Sequence, residues 1–253
     1  MKTIFILHGW AIRGGEENQR MWQPFINELE LSDSQVVFLK IPGLSVPLNE
    51  VWDMDNYLSW LESEIAQKSK GEKVILLGHS FGGHLAIKYA ARNPEKMEKL
   101  ILVDSSGIRD MVPKAVIKRT IFLMLAKVGK IFFKSEFFRN MIYKFARESD
   151  YKNAPPLLRR TMSKILDDEI LEELPKVKCD TKIIWGENDL TTPVKHAKKM
   201  QAEIKNSELI FIKEGKHSPQ FTHVKETAKL VMDFVLENDT SRQKRDKYFG
   251  DYK

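Results

Sequence analysis

A serine lies between two glycines where an apolar run passes into a helical pattern. The segment VILLGHSFGGHLAIKYAARNP, residues 74–94, contains the letters GHSFG centred on Ser80, which match the G-x-S-x-G pattern of a nucleophile elbow. So tight a strand-to-helix turn strains the serine, and side chains at the glycine positions would collide with backbone. Its Oγ then stands at a helix N-terminus, which favours developing negative charge. The sequence therefore predicts a nucleophile; an N-cap serine in a glycine-rich turn is the alternative interpretation.

An acid and a histidine follow two later strand-like runs, so the three groups occur in the order Ser80, Asp189, His217. A neutral imidazole can take the serine proton near neutral pH, and a carboxylate can fix its tautomer and stabilise the imidazolium. We predict His217 as the base and Asp189 as the acid. Asp104, just after another strand, is the reserve candidate for the acid, while Glu187 is interpreted as a turn residue.

The remaining histidines have other expected roles. His8 and His79 flank glycines in loops and are expected to shape the site, whereas His84 lies in the helix after the serine. His196 and His223 fall at helix starts, where surface or capping roles are expected.

Acyl transfer also needs two backbone N–H donors for the charge that develops on the carbonyl oxygen. We expect one donor from Phe81, directly after the nucleophile, and one from Trp10 in the loop after the first strand. Gly9 lets that loop approach closely, and Gly9, His79 and unidentified cap residues are the predicted substrate contacts. A plain turn with a core anchor is the alternative for the Gly-Trp pair.

Strand-like apolar runs alternate with helical patterns along the chain. The predicted strands are Thr3–Leu7, Val36–Leu39, Lys73–Leu77, Leu100–Val103, Lys182–Trp185 and Leu209–Ile212. The predicted helices are Met21–Glu30, Met54–Lys68, Phe81–Asn93, Val194–Ile204 and Lys225–Glu237. This alternation predicts an α/β fold, with a mostly parallel sheet of about six strands and helices on both faces. In such sheets the active site lies beyond the carboxyl ends of the strands.

The alternation breaks once, after the fourth strand. Residues 1–106 and 177–237 are predicted to form the two parts of one core, and residues 107–176 a helical cap inserted between them. Residues 238–253 are polar and highly charged, as is typical of a mobile tail.

The composition of the 253 residues, 42% hydrophobic and 30% charged, indicates a soluble globular protein. A single cysteine, Cys179, fits a reducing compartment, and we expect a cytoplasmic location. The net charge of +6 is local, because residues 105–165 hold 14 Lys and Arg against 4 Asp and Glu. No nucleic-acid motif accompanies them, so no nucleic-acid partner is expected.

The predicted cap mixes large apolar residues with regular lysines and arginines in the stretch KAVIKRTIFLMLAKVGKIFFKSEFFRNMIYKFAR. A cap that packs its apolar face over the site is the leading interpretation. A lid in peripheral contact with an anionic membrane and a surface for a partner helix are the alternatives. The first two imply an apolar substrate entrance.

Five motifs, LHGW, LGHSFGG, LVDSSG, IIWGENDLTTP and EGKHSPQFTH, occur in an order that resembles the α/β-hydrolase superfamily. They are similar to its small esterases and carbon–carbon hydrolases with a helical cap. The resemblance implies Ser80, Asp189 and His217 as the triad, Trp10 and Phe81 as the oxyanion pair, and no metal or cofactor. The chain departs from the family by lacking a hairpin before the first strand and by a long polar loop, AIRGGEENQRMW.

These residues together predict a serine hydrolase that cleaves small-molecule esters with apolar acyl chains. Two alternatives remain open: a carbon–carbon hydrolase of a diketone acid with the same triad, and a hydrolase-fold protein that binds a ligand with little turnover. The sequence does not determine the oligomeric state.

Overall fold

Six strands form the sheet at the centre of the fold. The computed structural model describes residues 2–10, 15–31, 34–109 and 155–237. Its strands are β1 Lys2–Leu7, β2 Ser34–Leu39, β3 Val74–His79, β4 Met97–Val103, β5 Asp180–Gly186 and β6 Ser207–Ile212. Every neighbouring pair in this sheet is parallel, in the order β2-β1-β3-β4-β5-β6. The predicted α/β fold with about six parallel strands is confirmed.

The strand order reverses between β1 and β3, because the chain first moves from β1 to β2 and then returns to the other side of β1. Helices that follow adjacent strands on opposite sides of such a point leave a crevice at the carboxyl ends of the strands. The predicted oxyanion loop follows β1 and the predicted nucleophile follows β3, so both lie at this crevice.

Helices cover both faces of the sheet, as predicted. They are α1 Gly15–Glu30, α2 Met54–Lys68, α3 Phe81–Arg92, α4 Pro156–Leu166, α5 Val194–Glu203, α6 Pro219–Thr222 and α7 Val224–Leu236. Alternate residues of β1 point to opposite sides: Ile4 and Ile6 pack with α1 and α7, and Phe5 and Leu7 pack with α2 to α5. The central strands are therefore buried on both faces, which explains why β3 and β4 read as continuous apolar runs.

Helix α1 begins at Gly15, six residues before the predicted start at Met21, so the expected long polar loop AIRGGEENQRMW is wrong from Gly15 onward. Its first turn carries Glu16 and Glu17, whose charges suit the positive end of the helix dipole. Most polar residues of the first turns face solvent, although Asn18 is buried, while Trp22 and Phe25 on the later turns are buried. The apolar stripe of this helix starts only at its later turns, so the sequence pattern did not indicate where the helix begins.

Helix α4 lies at the end of the segment that the sequence assigned to the cap. Leu158, Met162 and Ile165 share one of its faces and pack into the same core cluster as α2 and α3. The segment after it returns to β4, where the N–H of Ile170 donates to the carbonyl of Gly107 at 3.2 Å. The rest of the predicted cap, residues 110–154, and the tail lie outside the described residues. Within the described ranges, no helix is both long and apolar enough to cross a membrane.

Candidate active site

Ser80 occupies the turn between β3 and α3 in a strained backbone conformation, with φ at 53°. It holds the N-cap position of α3, but its side chain makes no cap hydrogen bond. Its backbone is fixed instead, because its N–H donates to Val103 at 3.1 Å and its carbonyl accepts from Ser106 at 3.0 Å. The N-cap interpretation therefore does not explain the serine hydroxyl, which is left free for another partner.

The two glycines of the motif are required by close backbone contacts. A Cβ on Gly78 would lie 2.5 Å from the carbonyl oxygen of Gly82 and 2.6 Å from the Cα of Gly83. A Cβ on Gly82 would overlap the carbonyl group of Leu7 in β1. Only glycine allows α3 to start this close to the sheet, as the motif predicted.

The structure brings the three predicted triad side chains into one line. The Ser80 hydroxyl lies 3.1 Å from Nε2 of His217, and Nδ1 of His217 lies 2.8 Å from Oδ2 of Asp189. The side chain of His217 is 24% exposed, whereas Asp189 is buried behind it. A hydroxyl, an imidazole and a buried carboxylate in this order form the arrangement that activates a serine for nucleophilic attack.

Donors surround the carboxylate of Asp189. The backbone N–H groups of Thr191 and Thr192 donate to Oδ1 at 2.7 and 3.1 Å, and the Thr192 hydroxyl donates to Oδ2 at 2.5 Å. Burial alone would raise the pKa of Asp189, but the hydrogen bonds and charge of His217 and the Thr192 donors outweigh it and lower this pKa. Sequence reasoning missed Thr192; an Asp followed by two threonines is typical of an Asx turn and signals such a cap.

The loop after β1 approaches the serine closely. A Cβ on Gly9 would lie 2.9 Å from the Cβ of Ser80, so this approach requires glycine. The rings of Trp10 and Phe81 stack with their centroids 4.9 Å apart, which places the two predicted oxyanion residues side by side. Leu7 pairs with Gly78 in the sheet, and their strands deliver the two backbone segments to the same place.

His8 anchors the peptide that carries the Trp10 N–H. Burial lowers the pKa of His8 to about 4, offset in part by its hydrogen bond with Gly9, so the ring is neutral. Its Nδ1 donates to the Gly9 carbonyl at 2.8 Å, and its Nε2 accepts from the Ser45 hydroxyl at 2.7 Å. The side-chain amide of Asn18 also lies 3.0 Å from Nδ1. Because the Gly9 carbonyl and the Trp10 N–H belong to one trans peptide, holding the carbonyl turns the N–H to the opposite side.

His79 contacts the loop of the catalytic histidine. Its Nε2 donates to the backbone carbonyl of His217 at 2.8 Å and lies 3.4 Å from the Ser218 hydroxyl. Burial, followed by the charge of His217, lowers the pKa of His79 to about 3. The buried ring therefore holds the His217 loop in place, and its predicted substrate contact stays a prediction.

The three remaining histidines lie outside the triad. His196 is buried in α5, which corrects the expected surface position. His84 is buried in α3 and hydrogen-bonds Asp168 at 2.8 Å. His223 is the N-cap residue of α7, as predicted, although its side chain makes no cap hydrogen bond.

The two other acids considered for the triad have different partners. Glu187 is exposed, and its side chain accepts from the backbone N–H of Glu214 at 3.3 Å. Asp104 is fully buried, and its Oδ1 accepts from the backbone N–H of Gly186 at 2.9 Å. Neither acid takes the place of Asp189 in the line to the serine.

One group of potential metal ligands lies at the site. His79, Asp104 and His217 each offer a ligand atom, and these atoms lie within 4.8 Å of one another. The nitrogens of His217 already face Ser80 and Asp189, so a metal there would compete with the hydrogen bonds of the triad. We assign no metal to this group, and the expected absence of a metal or cofactor stays a prediction.

Comparison with known proteins places the fold and the motifs in one family. A family model described as the alpha/beta hydrolase fold matches residues 2–224, which confirms the resemblance drawn from the motifs. The crystal structure of a bromoperoxidase from Bacillus anthracis is similar, with a TM-score of 0.70 at 23% identity, covering 93% of this chain and 92% of that chain.

Two curated relatives are similar over nearly their whole length. A 2-hydroxy-6-oxononadienedioate/2-hydroxy-6-oxononatrienedioate hydrolase of Pseudomonas putida is 23% identical, over 92% of this chain and 88% of its own. A pimeloyl-(acyl-carrier protein) methyl ester esterase of Aeromonas hydrophila subsp. hydrophila is 25% identical, over 92% of this chain and 94% of its own.

Proposed function

Because this chain belongs to the family with the α/β hydrolase fold, we propose that it is a serine hydrolase that cleaves carboxylic esters. The observation that carries the proposal is the continuous line from the Ser80 hydroxyl through His217 to Asp189, at 3.1 and 2.8 Å. The methyl ester esterase of Aeromonas hydrophila among the relatives supports an ester as the substrate.

The proposed reaction proceeds through an acyl-enzyme. His217 takes the proton of Ser80 as Oγ attacks the ester carbonyl carbon, and the N–H groups of Trp10 and Phe81 stabilise the oxyanion. His217 then gives the proton to the leaving alcohol as the carbon–oxygen bond breaks. A water attacks the acyl-serine with His217 as the base, which releases the carboxylic acid and restores the serine. Asp189 stays ionised and stabilises the imidazolium.

An apolar acyl group fits the surroundings of the proposed oxyanion pair. The Trp10 ring is only partly buried where it stacks on the buried Phe81 ring, so it offers apolar surface there. The proposed contact of a basic cap with an anionic membrane concerns residues 110–154, which lie outside the described residues, so it stays a proposal.

Hydrolysis of p-nitrophenyl esters, from acetate to long acyl chains, tests the function. We expect turnover by the native chain and a loss of kcat of about a thousandfold or more in Ser80→Ala, because the nucleophile is removed. Ser59→Ala, which changes an exposed serine of α2, is the matched control and should leave kcat unchanged.

Labelling by a fluorophosphonate probe gives a readout that does not depend on the choice of ester. The native chain and Ser59→Ala should be labelled, and Ser80→Ala should not. A native chain that neither turns over any ester nor reacts with the probe would contradict the serine hydrolase and favour the ligand-binding alternative.

A second candidate function is hydrolysis of a carbon–carbon bond in a diketone acid. The Pseudomonas putida relative, whose name describes a hydrolase of oxo-dienedioates, favours it. The same triad would serve, so product analysis separates the two: release of an alcohol from esters supports the esterase, and cleavage of a diketone acid into two carboxyl-bearing products at a higher kcat/KM supports the second function.

A further inference from the structure

A second carboxyl group is buried beside the triad. Asp104 directly follows β4, is fully buried and has a positive φ of 42°, which is rare for a residue other than glycine. Its Oδ1 accepts from the N–H of Gly186, which ties the end of β4 to the end of β5. Among the residues that the structure describes, no donor reaches its Oδ2, although this oxygen is inaccessible to solvent. A buried carboxylate oxygen without a donor is costly and needs an explanation.

The carboxyl group of Asp104 interacts with the buried carboxylate of Asp189. The Thr192 hydroxyl lies between the two residues, donating to Oδ2 of Asp189 at 2.5 Å and lying 3.2 Å from the Asp104 carbonyl. A ligand atom of Asp104 also lies within 4.8 Å of ring nitrogens of His217 and His79. These are the titratable groups that face Asp104 from the ends of β3, β5 and β6.

Two carboxylates in one dry pocket do not both ionise, so one of them holds a proton. Asp189 accepts from two backbone N–H groups, a hydroxyl and the His217 ring, whereas Asp104 accepts from one N–H. The negative charge therefore belongs on Asp189. Burial, and then the charge of Asp189, raise the pKa of Asp104 well above its ordinary value, in agreement with this assignment.

We propose that Asp104 is a neutral carboxylic acid whose Oδ2–H donates a hydrogen bond to the Asp189 carboxylate. Asp104 is thus a positioning residue: it keeps the single negative charge of the triad on the oxygens that orient His217. The same proton satisfies the buried oxygen that otherwise has no partner. The kinetic part of the test rests on the proposed serine hydrolase, and the spectroscopic part does not.

Infrared difference spectroscopy at neutral pH tests the protonation directly. The native chain should show the carbonyl stretch of a protonated carboxylic acid, and Asp104→Asn should lose it. Asp104→Asn is a mild change, because asparagine tolerates positive φ, its amide oxygen can accept from Gly186 and its N–H₂ can donate to Asp189. A native spectrum without this band, or a band that survives in Asp104→Asn, would overturn the proposal.

The pH dependence of kcat/KM gives the second test, since its acid limb reports the pKa of the free base. Replacing a neutral acid by a neutral amide should leave this limb in place and kcat/KM within about threefold. An ionised Asp104 within 4.8 Å of His217 would favour the positive form of the ring, so replacing it by a neutral amide would move the limb to lower pH. Such a shift would overturn the proposal.

Asp104→Ala, which removes the donor, separates positioning from packing. We expect about a tenfold lower kcat at unchanged KM, with Asp104→Asn restoring the native rate. Equal losses in both variants would contradict the proposed hydrogen bond. If the native chain hydrolyses no ester, the proposed function fails, while the infrared measurement still decides the state of Asp104.

Discussion

The Asp189 carboxylate depends on hydrogen bonds from residues outside the triad. Its charge is stabilised by backbone N–H groups and by one hydroxyl, that of Thr192, in addition to the catalytic ring. Hydrogen bonds to a charged group in a buried place are strong, because solvent does not replace them when they are lost. Thr192 is therefore expected to influence the rate although it does not reach the substrate.

Thr192→Val tests this influence with little change in shape. We expect kcat to fall by about ten- to a hundredfold, because the valine keeps the backbone donor to Asp189 and loses the hydroxyl donor. Ester turnover at saturating substrate measures the effect. Thr191→Val, which keeps the neighbouring backbone donor, should stay within about threefold of the native rate; equal losses in both variants would contradict the role of the hydroxyl.

Residue types and their places after strands were enough to predict which side chains converge. Ser80, Asp189 and His217 each follow a strand of the parallel sheet, and the structure brings them together. The supporting contacts could not be predicted, because they depend on which loops meet in space: Asn18 and Ser45 reach His8 from separate elements. The protonation of an acid beside another acid also depends on distances that the sequence does not contain.

At the scale of elements, a buried ion network joins α3 to the segment that returns from the insertion. Lys88 lies on α3 and pairs with Asp168 at 2.8 Å and with Glu173 at 3.0 Å, while its own side chain is only 7% exposed. His84, one turn earlier, shares Asp168. The helix that begins after the nucleophile is thereby fixed to the segment between α4 and β5, through Lys88 and His84 on the helix and the two acids of that segment.

Lys88→Met should destabilise the fold by about 3 kcal/mol, because it leaves two partly buried carboxylates without their cation. Chemical denaturation at neutral pH measures this free energy of unfolding. Lys229→Met is the matched control, since Lys229 and Asp233 form an exposed pair on α7 with side chains 74% and 60% exposed; its effect should stay below about 1 kcal/mol. Similar losses in both variants would contradict a special role for the buried network.

Helix boundaries show where pattern reading succeeds and where it fails. Helix α2 begins and ends at Met54 and Lys68 as predicted, because Asp53 forms a capping box that the sequence displays beside an apolar stripe. Helix α1 starts earlier than predicted, since its first turns are mostly exposed and their buried residue, Asn18, is polar, so no apolar residue reveals a period. A buried helix face produces a periodic pattern of apolar residues in the sequence, and an exposed turn produces none.

At the scale of the whole molecule, buried neutral histidines make stability depend on pH. Folding lowers the pKa of His8 to about 4 and that of His79 to about 3, from an ordinary value of 6.5, chiefly through burial. Below pH 6.5 these two histidines therefore bind protons in the unfolded chain but not in the folded chain. The contribution of these residues to stability is complete above that pH and is lost as the pH falls toward their folded values.

We expect the free energy of unfolding to fall by about 1.4 kcal/mol per pH unit for each of these two histidines below about pH 6. Denaturant unfolding between about pH 7.5 and about pH 5 measures the slope. His8→Gln, which keeps a polar side chain but does not titrate, should make the slope shallower. A stability that is flat over this range in the native chain would contradict the neutral state of the two rings.

The centre of the sheet was predictable because strands such as β3 and β4 are buried on both faces and therefore form continuous apolar runs in the sequence. Its order was not readable from periodicity alone, which finds strands but does not say which of them are neighbours. The order β2-β1-β3-β4-β5-β6 was found only in the structure. Long-range pairing is thus the part of the fold that this sequence expresses least directly.

The separation of the nucleophile from its base along the chain has a consequence for biosynthesis. Ser80 and His217 are 137 positions apart, and His217 follows the last strand of the sheet. A ribosome would therefore release the strained serine turn and the oxyanion loop well before the residue that can activate them. In a nascent chain Ser80 would stay unreactive until β6 joins the sheet and brings His217 to it. The time at which the chain begins to react with a fluorophosphonate would therefore report when this last strand is added.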